Sequence, residues 1–172
     1  MSAHRFHPTI LRAYDIRGIF EDTLTTGDAF AIGLSFISIQ KQRGLGNEVT
    51  VGRDGRLSSP ALAAALIDGL VAGGAQVSDI GCGPTPMLYF AAHELGSGGA
   101  IQVTGSHNPP THNGFKMVMG GLSFFGADIE ELGRVSAAGP DHTDDGGVVS
   151  RAIEEAYVDQ LAAAAVATGL SV

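Results

Sequence analysis

Residues 48–80 read EVTVGRDGRLSSPALAAALIDGLVAGGAQVSDI, and this stretch decides the fold class. Glu48 to Gly52 is a short strand, cut by the polar turn Arg53-Asp54-Gly55-Arg56. Ser58 or Ser59 then stands where a helix cap is wanted. Pro60 falls in the first turn, where its missing N–H costs least. The helix is expected from Ala61 to about Ala72 and stops at Gly73-Gly74, after which Ala75 to Ile80 is strand-like. Strand, helix and strand in that order are the crossover unit of a parallel sheet.

The pattern extends both ways. Upstream, Thr26-Gly27-Asp28-Ala29 opens a helix to about Arg43, with Ile32, Phe36 and Ile39 on one stripe and Gly44 as its stop. Downstream, Gly81 to Pro86 is a turn and Met87 to Leu95 a helix. Ala100 to Thr104 and Phe115 to Met119 are strands joined by the polar loop Gly105–Gly114. A helix from about Ala127 to Ala137, a linker-like stretch from Gly139 to Gly147 and a last helix from Ala152 to about Ala167 complete the chain. The expectation is a three-layer α/β/α domain with helices on both faces of a mixed four-stranded sheet, three strands parallel and one antiparallel. Ligands of such sheets sit at the carboxyl ends of strands. Those ends carry the turn at Arg53–Arg56, the turn at Gly81–Pro86 and the loop Gly105–Gly114, all opening toward one edge.

Composition narrows the function. The 172 residues are 44% hydrophobic and 16% charged, which suits one globular domain and excludes disorder. Ten Lys and Arg against eighteen Asp and Glu leave a charge of −8, which argues against nucleic-acid or anionic-membrane partners. The single cysteine, Cys82, can form no internal disulfide or zinc cluster, and in its glycine turn it is expected to be buried and inert. The opening MSAHRFHPTI has no apolar core of a signal peptide, and the longest apolar run, Leu161 to Ala167, is far short of the roughly 20 residues that cross a bilayer. A cytoplasmic location is the expectation. Twenty-five glycines without tryptophan point to many tight turns.

Three segments hold candidate chemistry. In Thr104-Gly-Ser-His-Asn-Pro-Pro-Thr-His-Asn-Gly-Phe-Lys116 a serine stands on a proline-stiffened loop beyond a buried strand. Ser106 could carry a phosphoryl group, with His107 and Lys116 supplying charge and proton transfer; the bland reading is an ordinary polar surface turn. No G-x-S-x-G elbow is present. In Leu11-Arg-Ala-Tyr-Asp-Ile-Arg-Gly18, Arg12 and Arg17 either face an anion or pair with Asp15. In Val51-Gly-Arg-Asp-Gly-Arg56 the turn either cradles phosphate or is an Asp–Arg pair stitching loops together; it is not a Walker loop. Asp141, His142, Asp144 and Asp145 suggest a metal cluster but fit a solvated loop better, and His4 and His7 are expected to be exposed.

Taken together, RAYDIRG at 12–18, VGRDGRLSSP at 51–60, GPTPMLYFA at 83–91 and TGSHNPPTHNGFKM at 104–117 resemble the α-D-phosphohexomutases, in particular the bacterial phosphomannomutase/phosphoglucomutase branch. The resemblance implies that Ser106 is the phosphorylated serine and that its phosphate contacts Mg2+. It implies that Lys116 assists proton transfer at the sugar hydroxyl, with His107 as supporting acid/base. Arg17 would steady the phosphoserine or the hexose 1,6-bisphosphate intermediate, Tyr14 would touch the phosphosugar substrate, and Asn108 would shape the loop. Arg53 and Arg56 match a motif of mainly structural role.

Members of that family have four domains. Their second supplies a D-x-D-x-D magnesium loop and their third the sugar-specificity loop, and neither motif occurs in this sequence. Residues 1–150 therefore resemble domain I, with 151–172 a connecting helix toward a second domain. The remaining mutase domains are the expected partners. The fragment alone is expected to be inactive and to self-associate through uncovered surface. Thr-Gly-Ser-His-Asn and Gly-Phe-Lys-Met favour a hexose over the hexosamine of phosphoglucosamine mutase. The same residues would also suit a non-catalytic binding module of this fold, or a phosphate-ester hydrolase that uses Ser106.

Overall fold

The computed structural model describes residues 3–143 and 145–167. Its elements are β1 (Ile16–Ile19), α1 (Thr26–Gln42), β2 (Glu48–Arg53), α2 (Ser59–Ala72), β3 (Gln76–Cys82), α3 (Thr85–Glu94), β4 (Gly99–Val103), β5 (His112–Met119), β6 (Leu122–Ser123), α4 (Ala127–Ala138), β7 (Gly147–Ser150) and α5 (Glu154–Ala167).

β2 runs parallel to both β3 and β4, and β5 is antiparallel to β4, as the crossover pattern predicts. The sheet is larger than the four strands expected. Its order is β1-β5-β4-β2-β3-β7, with β6 also on β5, seven strands in all. The extra strands carry little apolar signal. β1 is four residues long and contains Arg17 and Gly18. β6 has two residues, and β7 is largely exposed at the end of the linker-like stretch. β5 also begins at His112 rather than Phe115, because its first half pairs with β1, Arg17 opposite Gly114 and Ile19 opposite His112.

Side chains alternate across a strand, and the two faces sort cleanly. Val49, Val51, Ile101, Val103, Phe115, Met117 and Met119 share one core with Ile32 and Phe36 of α1, Leu66 and Leu70 of α2, and Leu132 of α4. Ile80 and Ala100 point the other way, against Met87, Leu88 and Ala91 of α3, with Ile153 and Tyr157 closing over them. The three-layer architecture is thus present.

Local chemistry sets the helix ends. Thr25 caps α1: its hydroxyl accepts from Asp28 N–H at 3.2 Å while Asp28 Oδ2 accepts from Thr25 N–H at 2.8 Å. At α2 the expected serine cap is not made. Ser58 occupies the cap position with helical φ and ψ (−81°, −18°), and no side-chain capping bond forms. Both hydroxyls are drawn instead into the network described below. α1 and α2 meet backbone to backbone, since a Cβ on Gly33 would lie 2.3 Å from Leu66 O and one on Gly69 2.0 Å from Phe30 O.

Candidate active site

The carboxyl ends of β2, β3 and β4 converge as the sequence predicts. Asp54 N–H donates to Val103 O and Gly83 N–H to Arg53 O, each at 2.9 Å. Between β2 and α2 the turn is stitched by an ion pair rather than opened as a phosphate cradle. Asp54 Oδ2 accepts from Arg56 Nε at 3.2 Å and from Gly105 N–H at 3.0 Å, and Oδ1 from Arg56 N–H at 3.1 Å and from the Ser59 hydroxyl. Burial would raise the Asp54 carboxyl, but hydrogen bonds from the Ser59 hydroxyl, Arg56 N–H, the Thr104 hydroxyl and Gly105 N–H outweigh it and hold the group below the usual carboxylate range.

Arg56 is then aimed at the serine loop. Nη1 donates to Pro109 O at 2.7 Å and His112 O at 3.1 Å, while Nη2 donates to Ser106 O at 3.0 Å and Asn108 O at 2.7 Å. The guanidinium lies against Gly105, where a Cβ would meet its Cζ at 2.2 Å. At the loop's far end Asn113, fully buried, donates through Nδ2 to Ser58 Oγ at 2.8 Å and Ser59 Oγ at 2.9 Å, and accepts Gly114 N–H at 2.9 Å.

Held this way, Ser106 is exposed and adopts a left-handed backbone with φ 52°. Its N–H donates to Thr104 Oγ1 at 2.9 Å. The preceding carbonyl, Gly105 O, accepts from Asn108 N–H at 3.1 Å, Asn108 Nδ2 at 3.2 Å and Arg17 Nη1 at 2.7 Å. Arg17 is 5% exposed and also pairs with Asp15. Of the two arginines in its segment it alone reaches the loop, since Arg12 is exposed and donates to Thr9 O at 3.4 Å.

Strand parity places the remaining groups. Ile16 and Phe115 face the large core, so Arg17 and Lys116 both lie on the opposite face of the sheet. Lys116 is half-buried and lines a cavity of about 330 Å³ together with Tyr14, Tyr89, Ser123 and Phe125. Tyr14 is 84% exposed at its rim. A larger adjoining cavity of about 630 Å³ shares Tyr89 and Ser123 but is lined by none of the sequence-predicted site residues.

Residues 8–138 match the family model described as phosphoglucomutase/phosphomannomutase, alpha/beta/alpha domain I. The chain belongs to the phosphoglucomutase/phosphomannomutase family. It is 51% identical over 124 residues to a phosphomannomutase/phosphoglucomutase of Pseudomonas aeruginosa, an alignment covering 72% of this chain and 27% of that protein. It is 46% identical over 123 residues to a phosphoglucomutase of Neisseria gonorrhoeae, covering 72% and 26% respectively. A solved phosphoglucomutase/phosphomannomutase family protein of Burkholderia thailandensis superimposes with a TM-score of 0.83 at 42% identity, covering 90% of this chain and 35% of that one. The chain thus spans about a quarter of the length of the curated relatives it matches.

Within this phosphoglucomutase/phosphomannomutase family domain, the structure gathers Arg17, Ser106, Asn108 and Arg56 into one hydrogen-bonded cluster and sets Tyr14 with Lys116 around the neighbouring cavity. His107 is exposed, and its imidazole has no partner among the described residues. Sequence reasoning missed Ser59 and Asn113 and gave Asp54 no link to the serine loop. The available signal was the grouping of Asp54, Arg56, Ser58 and Ser59 at the entry to an otherwise apolar helix. Two other expectations are corrected. Cys82, at the end of β3 on the sheet's open edge, is exposed. His4 is half-buried and its Nε2 lies 2.8 Å from Asp28 Oδ1, because the N-terminal segment is bound across α1 and α4.

Magnesium does not fit this chain's residues alone. Among the described residues no three of His, Cys, Asp or Glu come together as cation ligands, and both oxygens of Asp54 are already engaged. Of the suggested acidic cluster at 141–145, Asp144 lies outside the described residues, as does the chain beyond Ala167. No helix among the described residues is long and apolar enough to cross a membrane.

Proposed function

We propose that this chain is the phosphoryl-carrying domain of a mutase that interconverts hexose 1-phosphate and hexose 6-phosphate. The observation that carries the reading is Ser106 itself: exposed, in a left-handed conformation, at the carboxyl end of β4, with its loop gripped from two sides by guanidinium groups. A loop so fixed presents one hydroxyl in one direction, and phosphoryl transfer depends mainly on positioning and electrostatics.

In the forward half-reaction a sugar hydroxyl oxygen bonds to the phosphorus carried on Ser106 and the Oγ–P bond breaks. Lys116 assists the hydroxyl proton on its way, and that proton ends on the departing serine oxygen, so none is gained or lost. The product is hexose 1,6-bisphosphate. After the intermediate turns over, the same step runs in reverse from its other phosphate. Arg17 keeps N–H groups beyond those given to Gly105 and Asp15, and these suit a phosphate beside Ser106. Tyr14 lines the sugar's approach, Asn108 braces the loop turn, and His107 supports proton transfer from the loop rim.

The phosphorylated serine would be the chain's own contact to Mg2+, and the ion's carboxylates would come from outside these residues. Residues 1–150 act as domain I and residues 151–172 as the lead toward further mutase domains, which complete the phosphosugar site. The preferred substrate is a hexose phosphate rather than a hexosamine phosphate.

Incubation with glucose 1,6-bisphosphate, followed by mass spectrometry of the loop peptide, should find phosphate on Ser106 in a full-length protein bearing this domain. Ser106→Ala should cost at least about a thousand-fold in interconversion. Steady release of inorganic phosphate without interconversion would assign a hydrolase, and sugar-phosphate binding with neither would assign a binding module.

A further inference from the structure

We propose that Arg56, seated on Asp54, is a positioning residue for phosphoryl transfer at Ser106, acting by holding the loop's carbonyls so that the serine stays in its left-handed conformation. The inference rests on the reading of Ser106 as the phosphoryl carrier. It gives a kinetic role to a residue whose motif suggests scaffolding alone.

Three observations carry it. First, every side-chain hydrogen bond of Arg56 other than the one to Asp54 goes to the serine loop or its junction with β5, at Ser106, Asn108, Pro109 and His112. The guanidinium therefore restrains the loop and leaves the two apolar cores untouched. Second, a positive φ at a serine is a minor state of a free chain and persists only where the surroundings fix it. Two of the four carbonyls held, those of Ser106 and Asn108, lie within two residues of that torsion. Third, the clamp is itself fixed. Asp54 is bonded to Gly105 N–H and to the Ser59 hydroxyl, which in turn receives Asn113 from the loop's other end. Planar, five-donor geometry suits this task, and an ammonium on a flexible stem cannot span the same acceptors.

The test uses a full-length protein bearing this domain, with Arg56→Ala and Arg56→Lys made in it. Interconversion kinetics and Ser106 phosphate content are measured, together with amide hydrogen exchange across 104–112. The expected result is a kcat lower by ten- to a hundred-fold with KM within about twofold, because the hydroxyl is misplaced while the sugar site is unchanged. Arg56→Lys should recover only part of that loss. Exchange at the Gly105 and Asn108 amides should rise at least tenfold, with protection in β2 and β4 retained.

Folded variants with wild-type kcat overturn the inference. So does a loss confined to KM, or exchange that rises evenly through the sheet, which would mark Arg56 as general scaffolding. If Arg56→Ala does not fold, Arg56→Lys decides, and an unchanged kcat in it counts against the clamp. A wild-type protein that neither phosphorylates Ser106 nor interconverts the sugars sinks the reading of Ser106 instead, and the exchange pattern then shows separately whether the clamp exists.

Discussion

Ser106 and Gly105 sit side by side under opposite constraints. Ser106 tolerates a backbone that an L residue enters at a cost of about 1–2 kcal/mol. Ser106→Gly should therefore be more stable than Ser106→Ala by about 1 kcal/mol, while neither accepts a phosphoryl group; denaturant midpoints of the two variants check this. Gly105 has no such freedom to lose, because any side chain there runs into the Arg56 guanidinium. Gly105→Ala should cost about 1–3 kcal/mol and loosen the loop, readable as a lowered midpoint with faster loop exchange. Asp54 adds a pH dependence. Its folded carboxyl lies below its unfolded value, so its stabilisation is complete above about pH 5 and is lost as pH falls below about 4. Between pH 5 and 3 the melting temperature of Asp54→Asn should fall less than that of the wild type. Equal slopes would mean that the hydrogen bonds to Asp54 do not depend on its charge.

At the scale of elements, the most exacting contact is between α1 and α2. Alanine at Gly69 would favour the helix by up to about 1 kcal/mol in isolation, yet its Cβ would lie 2.0 Å from Phe30 O. Gly69→Ala should lose about 2 kcal/mol net, measured by urea unfolding, and a gain would mean that the helices can part without penalty. The same elements show what a sequence exposes. β2, α2, β3, α3 and β4 were legible because glycine and proline punctuate them and because Val49, Val51, Ile80 and Ile101 declare a buried strand. β1 was not, since Arg17 and Gly18 occupy half of it and its pairing partner lies almost a hundred residues away. β7 hid in polar composition. At the site, the serine loop stood out by residue type, and Arg17 and Lys116 by charge. Asn113 looked like one more turn residue, because a buried amide is recognisable only by the hydroxyls it reaches, and those are supplied by α2.

For the molecule as a whole, the 172-residue chain carries a braced, exposed serine, an arginine beside it and a lysine facing the neighbouring cavity, over about a quarter of the length of its curated relatives. On its own it should show no measurable glucose 1-phosphate to glucose 6-phosphate conversion in a coupled assay, and turnover above background would show that the site needs nothing further. Its sheet also has a temporal side. Arg17 and Gly105 are 88 residues apart in the chain, and among the described residues the strand that β1 pairs with is β5. On the ribosome both arginines emerge before the loop they grip. The Arg56 hold can begin to close once β4 has docked beside β2 and residues 106–109 have followed, and it is completed by His112 at the start of β5, whereas the Arg17 hold must wait for residues 112–119 to bring β1 alongside. Assembly of the cluster around Ser106 is therefore a late, high-contact-order event. Nascent chains arrested before β5 would hold β2, β3 and β4 together while the serine loop still lacked its Arg17 grip.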